Sequence, residues 1–86
     1  MGPQSEPQQA LDWLQKGGLA LGPEWEQAHE ICQRAEGRRD HDLVHALCHW
    51  IEGDVANCNY WYARVAPWVR AFSIAEEWVA VRATVA

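Results

Sequence analysis

His41, His45 and His49 recur at four-residue intervals in the segment HDLVHALCHWIEGD, and Glu52 follows one turn after the last of them. On a helix, at about 100° per residue, these positions share one side. Imidazoles at i and i+4 can hold one metal ion between them, and a carboxylate a turn further on can reach the same ion. Two histidines and a carboxylate suit zinc or non-haem iron, with coordination positions left over for water or a substrate. His45, His49 and Glu52 are therefore the candidate metal ligands. The same three groups could instead relay protons. The glutamate that stands between the histidines of zinc-protease helices is missing, and no second ligand pair sits at zinc-finger spacing.

Upstream, His29 and Cys32 repeat the H-x-x-C spacing of His45 and Cys48. If the two segments are neighbouring helices, His29 can approach the stripe from the second one. The alternative is that the cysteines are small core residues and the histidines hydrogen-bond at the core edge. Glu52 bears on that choice, because a carboxylate in the last turn of a helix is disfavoured by roughly 0.3–1 kcal/mol. Such a residue needs a partner or a function. His45, His49 and Arg64 are within reach, and a structural ion pair tying two helices together is the plainer outcome. Further on, Asn57, Tyr60, Trp61 and Arg64 fall on one side of the next helix, away from its apolar face. That is the composition of a binding surface, unless other helices cover it.

Helices must position these groups. Residues 1–7 contain two prolines and no apolar pattern, and read as a flexible tail ahead of a single domain over 8–86. A short helix over 8–16 turns Leu11, Trp13 and Leu14 inward and stops at Gly17-Gly18. Pro23 and the early Glu24, Glu26 and Glu30 open a second, with Trp25, Ala28, Cys32 and Ala35 inward and Gly37 at its end. Asp40 or Asp42 is placed to cap the third, whose core side is Leu43, Leu47 and Ile51 with Val44 and Trp50. Gly53 closes it in the left-handed conformation, and Asp54 caps the fourth, over 55–66, which Pro67 stops. Val55, Cys58, Tyr62, Val65 and Ala66 form its core face. Ser73 and Glu76 have capping-box spacing and start a fifth, over 74–85, that buries Ile74, Trp78, Val81 and Val85. No segment alternates as a strand does. The spacing predicts an all-α bundle of four main helices plus a short N-terminal one, with Trp25, Leu47, Ile51, Tyr62 and Trp78 largely buried.

Composition narrows the partners. The 86 residues carry twelve acidic and seven basic side chains, a net charge of −5, which argues against nucleic acid. No apolar run approaches the roughly 20 residues that span a bilayer, and the N-terminus lacks a secretory hydrophobic region. Met1-Gly2 opens like a myristoylation site, but Pro3 and Glu6 do not fit that motif. Three cysteines without CxxC spacing read as buried thiols of a reducing, cytoplasmic setting. Six tryptophans let so short a chain bury a large apolar area.

Two resemblances follow from these residues. Residues 42–67, with Ala46, Gly53-Asp54, Cys58, Tyr62, Val65 and Pro67, resemble a tetratricopeptide-type hairpin, which implies protein or peptide binding. The chain is shorter than the three repeats such arrays need. The pattern H-x3-H-x2-E-G-D-x2-N-x2-Y-W-Y is carried by His45, His49, Glu52, Gly53, Asp54, Asn57, Tyr60, Trp61 and Tyr62. It is similar to the signature of a small uncharacterised family of bacterial and fungal proteins, and the likeness extends to Trp25, His29 and Glu77-Trp78. Trp50 stands where that family would have arginine, and Cys58 where it would have alanine. This resemblance implies a shape and a candidate site, not a reaction.

The leading expectation is a cytoplasmic interaction or ligand-binding module using the third and fourth helices. Its partner is a protein or small ligand, with self-association as a two-fold homodimer, and with neither nucleic acid nor membrane. The alternative is a small metal-dependent or acid–base enzyme working through His45, His49 and Glu52 with His29. Enzymes this small are uncommon, since little chain remains to enclose a pocket. No cofactor beyond zinc or iron is implied.

Overall fold

The structure, a computed structural model, describes residues 4–86 and contains five helices, with no strand among the described residues. Met1, Gly2 and Pro3, the start of the expected tail, lie outside the described residues. Ser5 is extended and accepts the Gln8 amide at 3.3 Å, which starts α1 (Glu6–Lys16). Pro7 sits buried in the first turn, so this helix begins earlier than predicted and takes in the end of that tail. α2 (Pro23–Gln33) starts at its proline but ends before the predicted Gly37, in a turn over 34–37.

α3 (Arg39–Glu52) is the axis of the fold and packs against all four other helices. Every residue from His41 to His49 is buried, so the histidine stripe is not a solvated flank. Ile51, predicted core, is only partly buried, because the end of α3 emerges from the bundle. The expected aspartate cap is also corrected. Arg38 occupies the N-cap position without a side-chain bond. Asp42 Oδ1 instead reaches back to the Gly37 amide at 3.0 Å and closes the turn after α2, while Asp40 Oδ2 accepts the Ala86 amide at 3.3 Å.

Local chemistry sets the α3–α4 hairpin as the spacing predicts. Gly53 has φ +82°, the left-handed conformation that ends a helix at low cost only for glycine. Asp54 then accepts the Asn57 amide at 3.1 Å and caps α4 (Val55–Arg64). Cys58, Tyr62 and Val65 face inward, but Val55 and Ala66 are exposed and Trp61 is buried in their place. The core face of α4 is thus rotated toward Trp61.

Ser73 accepts the Glu76 amide at 3.1 Å and starts α5 (Ile74–Thr84). Val81 and Val85 are buried, whereas Ile74 and Trp78 are only partly so, because α5 lies at the rim against α1 and α3. Trp78 Nε1 donates to the Leu11 carbonyl at 2.9 Å. Glu77 is fully buried, which the apolar pattern did not predict. Its carboxylate accepts Tyr62 Oη–H at 2.9 Å, Trp68 Nε1–H at 2.7 Å and the Ala71 amide at 2.9 Å, fastening the loop between α4 and α5. Among the described residues no helix is long and apolar enough to cross a membrane.

Candidate functional site

α2 and α3 bring three imidazoles together beside α4. His29 comes from α2, and His45 and His49 come from successive turns of α3. Ring centroids lie 4.8 Å apart for His29–His45, 5.1 Å for His29–His49 and 4.9 Å for His45–His49. Two tryptophans wall the group. Trp25 stacks on His29 at 4.7 Å, and Trp61 stacks on His45 at 4.1 Å. Trp25 is itself anchored, its Nε1 donating to the Cys48 carbonyl at 2.8 Å.

The ring nitrogens could serve as ligands. His29 Nε2 and His45 Nε2 lie 3.1 Å apart, a hydrogen bond in which one ring donates and the other accepts. Two nitrogens bound tetrahedrally at about 2.05 Å from one zinc ion would be about 3.3 Å apart. His49 donates Nδ1–H to Glu52 Oε1 at 2.8 Å, which leaves its Nε2 for a ligand. One ligand atom from each of the three rings falls within 4.8 Å of the others. Closing that set on an ion takes a side-chain movement of about 1 Å.

The electrostatics suit a metal as well. Burial pushes the His45 imidazole down to about 3, helped by His29 and His49. His29 is lowered by burial and by His49, against the pull of Glu52, Glu36 and Glu30. A metal ligand has to be the neutral imidazole, and these two rings are held neutral without an ion. His45 Nδ1 is buried and has no hydrogen-bond partner, at a cost of about 1–3 kcal/mol.

Of the predicted site residues, the structure brings His29, His45, His49 and Trp61 together. Glu52 bonds to His49 Nδ1 and groups with His49 and Asp54, not with His29 and His45. Asn57 lines the cleft, with its amide and Nδ2 committed to Asp54. Tyr60 is exposed and accepts Arg64 Nη1–H at 3.3 Å. Arg64 lies over the Tyr60 and Trp61 rings and its Nε is 3.7 Å from Asp42, so it does not neutralise Glu52. His41 leaves the stripe and donates to Glu6 Oε1 at 3.0 Å. Cys32 and Cys48 are buried core residues outside the ligand set. Gln33 and Glu36, which complete the cleft, were not singled out from sequence. Gln33 follows His29 at a step of four on α2, so the face arithmetic applied to His45 finds it too, whereas Glu36 lies in the turn after the helix.

No family model, no curated protein and no solved structure matches this chain.

Proposed function

We propose that the protein is a small metal-binding helical domain whose ion is held by His29, His45 and His49. The observation that carries this reading is the convergence of their ring nitrogens, with Nε2 of His29 and His45 at 3.1 Å. Glu52 leaves the ligand set and becomes the outer partner that fixes the His49 tautomer, the arrangement usual for metal-bound histidine. Three neutral nitrogens suit a borderline divalent ion of the zinc or copper class. They fit non-haem iron less well, since none of the three grouped ligands is a carboxylate. The three free, buried cysteines support a reducing, cytoplasmic setting.

The test is calorimetric titration of zinc into metal-stripped protein without a histidine tag. One ion per chain is expected, with uptake lost in His29→Ala and His45→Ala and kept in His41→Ala, whose ring lies with Glu6 outside the cluster. Equal behaviour of the His41 and His45 variants, or no uptake by the wild type, refutes the reading.

A further inference from the structure

We propose that the ion takes its fourth ligand from outside the chain, and that the cleft selects a small neutral nitrogen or oxygen donor over an anion. This rests on the metal reading above.

Among the described residues, the group that joins His29, His45 and His49 has no fourth donor, and a second group, with Glu52 and Asp54, shares only His49 with it. Glu52 is committed to His49 Nδ1, and Asp54 accepts both the Asn57 amide and Asn57 Nδ2 as the cap of α4. A borderline divalent ion prefers four ligands, and three protein ligands leave one position for water or another exchangeable molecule.

The cleft bounds the size of that molecule. Its volume is about 280 Å³, bounded by the three rings with Gln33, Glu36, Asn57 and Trp61. Pockets for drug-sized ligands begin at about 300 Å³, so the cleft admits molecules up to about that size, imidazole and azide among them.

Charge fixes its class. No lysine or arginine lines the cleft, and Glu36 does. Glu30, Glu36 and Glu52 all act electrostatically on His29. Arg64 lies over the Trp61 ring and is shared with Asp42. An anion entering the cleft therefore meets carboxylates that a neutral ligand does not feel. Gln33 supplies a side-chain amide, donor and acceptor at once, for the N–H or O–H of a neutral ligand.

The test uses cobalt(II)-loaded protein, whose visible absorption reports the coordination of the ion. Imidazole and azide are titrated separately into the wild type and into the Glu30→Gln/Glu36→Gln variant. Both ligands should shift the wild-type spectrum. In the variant, azide affinity should rise about tenfold while imidazole affinity stays nearly constant. A wild-type spectrum indifferent to both ligands overturns the proposal, because the fourth position is then closed. So does an azide affinity unchanged by the variant, because the carboxylates then select nothing. A protein that gives no cobalt spectrum before any ligand is added sinks the metal reading itself, and this proposal with it.

Discussion

Acid should strip stability from this fold mainly through His45. Its ring is 2 % exposed, and burial holds its pKa at about 3 in the folded chain, against an ordinary 6.5. Above about pH 6.5 the imidazole is neutral in both folded and unfolded chains, and its contribution is fully present. Below that, the unfolded chain takes up a proton that the folded chain refuses. Stability then falls by about 1.4 kcal/mol per pH unit until the folded value is reached near 3. At about pH 4.5 the loss from this one ring is about 2.7 kcal/mol, a large part of the roughly 5–15 kcal/mol that holds a domain folded. His29, also lowered by burial, adds to the fall in the same window.

The window isolates the histidines. Glu6, Asp12 and Asp54 have folded values below their ordinary 4.5, 3.8 and 3.8, so their contributions are lost only as the pH falls further. Urea denaturation followed by tryptophan fluorescence, in chelator-treated buffer from about pH 7 to about pH 4.5, measures the slope. His45→Gln removes the titrating ring, and its stability should decline much less over the same range. A wild type equally stable at both ends, or a variant that falls as steeply, refutes the burial argument.

Three other perturbations probe the frame around the site. Glu77→Ala leaves the Tyr62 hydroxyl, the Trp68 indole N–H and the Ala71 amide without their acceptor, and should cost about 3–5 kcal/mol in urea denaturation. Trp61→Leu uncovers His45, so the His45 proton resonance should titrate closer to the ordinary 6.5; an unmoved midpoint would mean that Trp61 does not dry the ring. Gly53→Ala meets no neighbour within 4 Å but must adopt φ +82°, and thermal denaturation should show a loss of roughly 1–2 kcal/mol from backbone strain alone.

Local signals were the legible part of this fold. Gly53, Asp54 and Ser73 act within four residues of themselves, so the sequence alone places the turns they make. The face of α4 differs from the expected one because Val55 and Ala66, at its two ends, are exposed. Centred on Cys58, Trp61, Tyr62 and Val65, the same helix shows apolar residues at i, i+3, i+4 and i+7, and Trp61 turns inward. The burial of α3 was hidden for another reason. Histidine and aspartate read as outward-facing, yet His41 is satisfied by Glu6 and Asp42 by Gly37, partners that only the tertiary fold supplies. Glu77 is the same case, since two of its three donors come from a loop without periodicity. The site was half legible: α3 spacing put His45 and His49 together, but which nitrogen faces His29 depends on how α2 docks.

Glu52 shows how such a site is held, and it separates from its neighbour Asp54 by experiment. A carboxylate at the C-terminal end of α3 faces the negative end of the helix dipole, at a cost of roughly 0.3–1 kcal/mol. Its bond to His49 Nδ1 at 2.8 Å offsets that cost and fixes the proton on Nδ1. Glu52→Gln keeps the shape, but the amide can present either oxygen or NH2 to the ring, so the tautomer is no longer imposed. Zinc affinity should fall about 10–100-fold with little change in stability. Asp54→Ala should do the reverse, lowering the thermal midpoint through loss of the α4 cap while zinc affinity per folded molecule holds. Equal zinc affinity in wild type and Glu52→Gln would show that His49 needs no outer partner. Equal loss of zinc in the Asp54 and Glu52 variants would show that the hairpin as a whole, and not the His49 tautomer, sets the site.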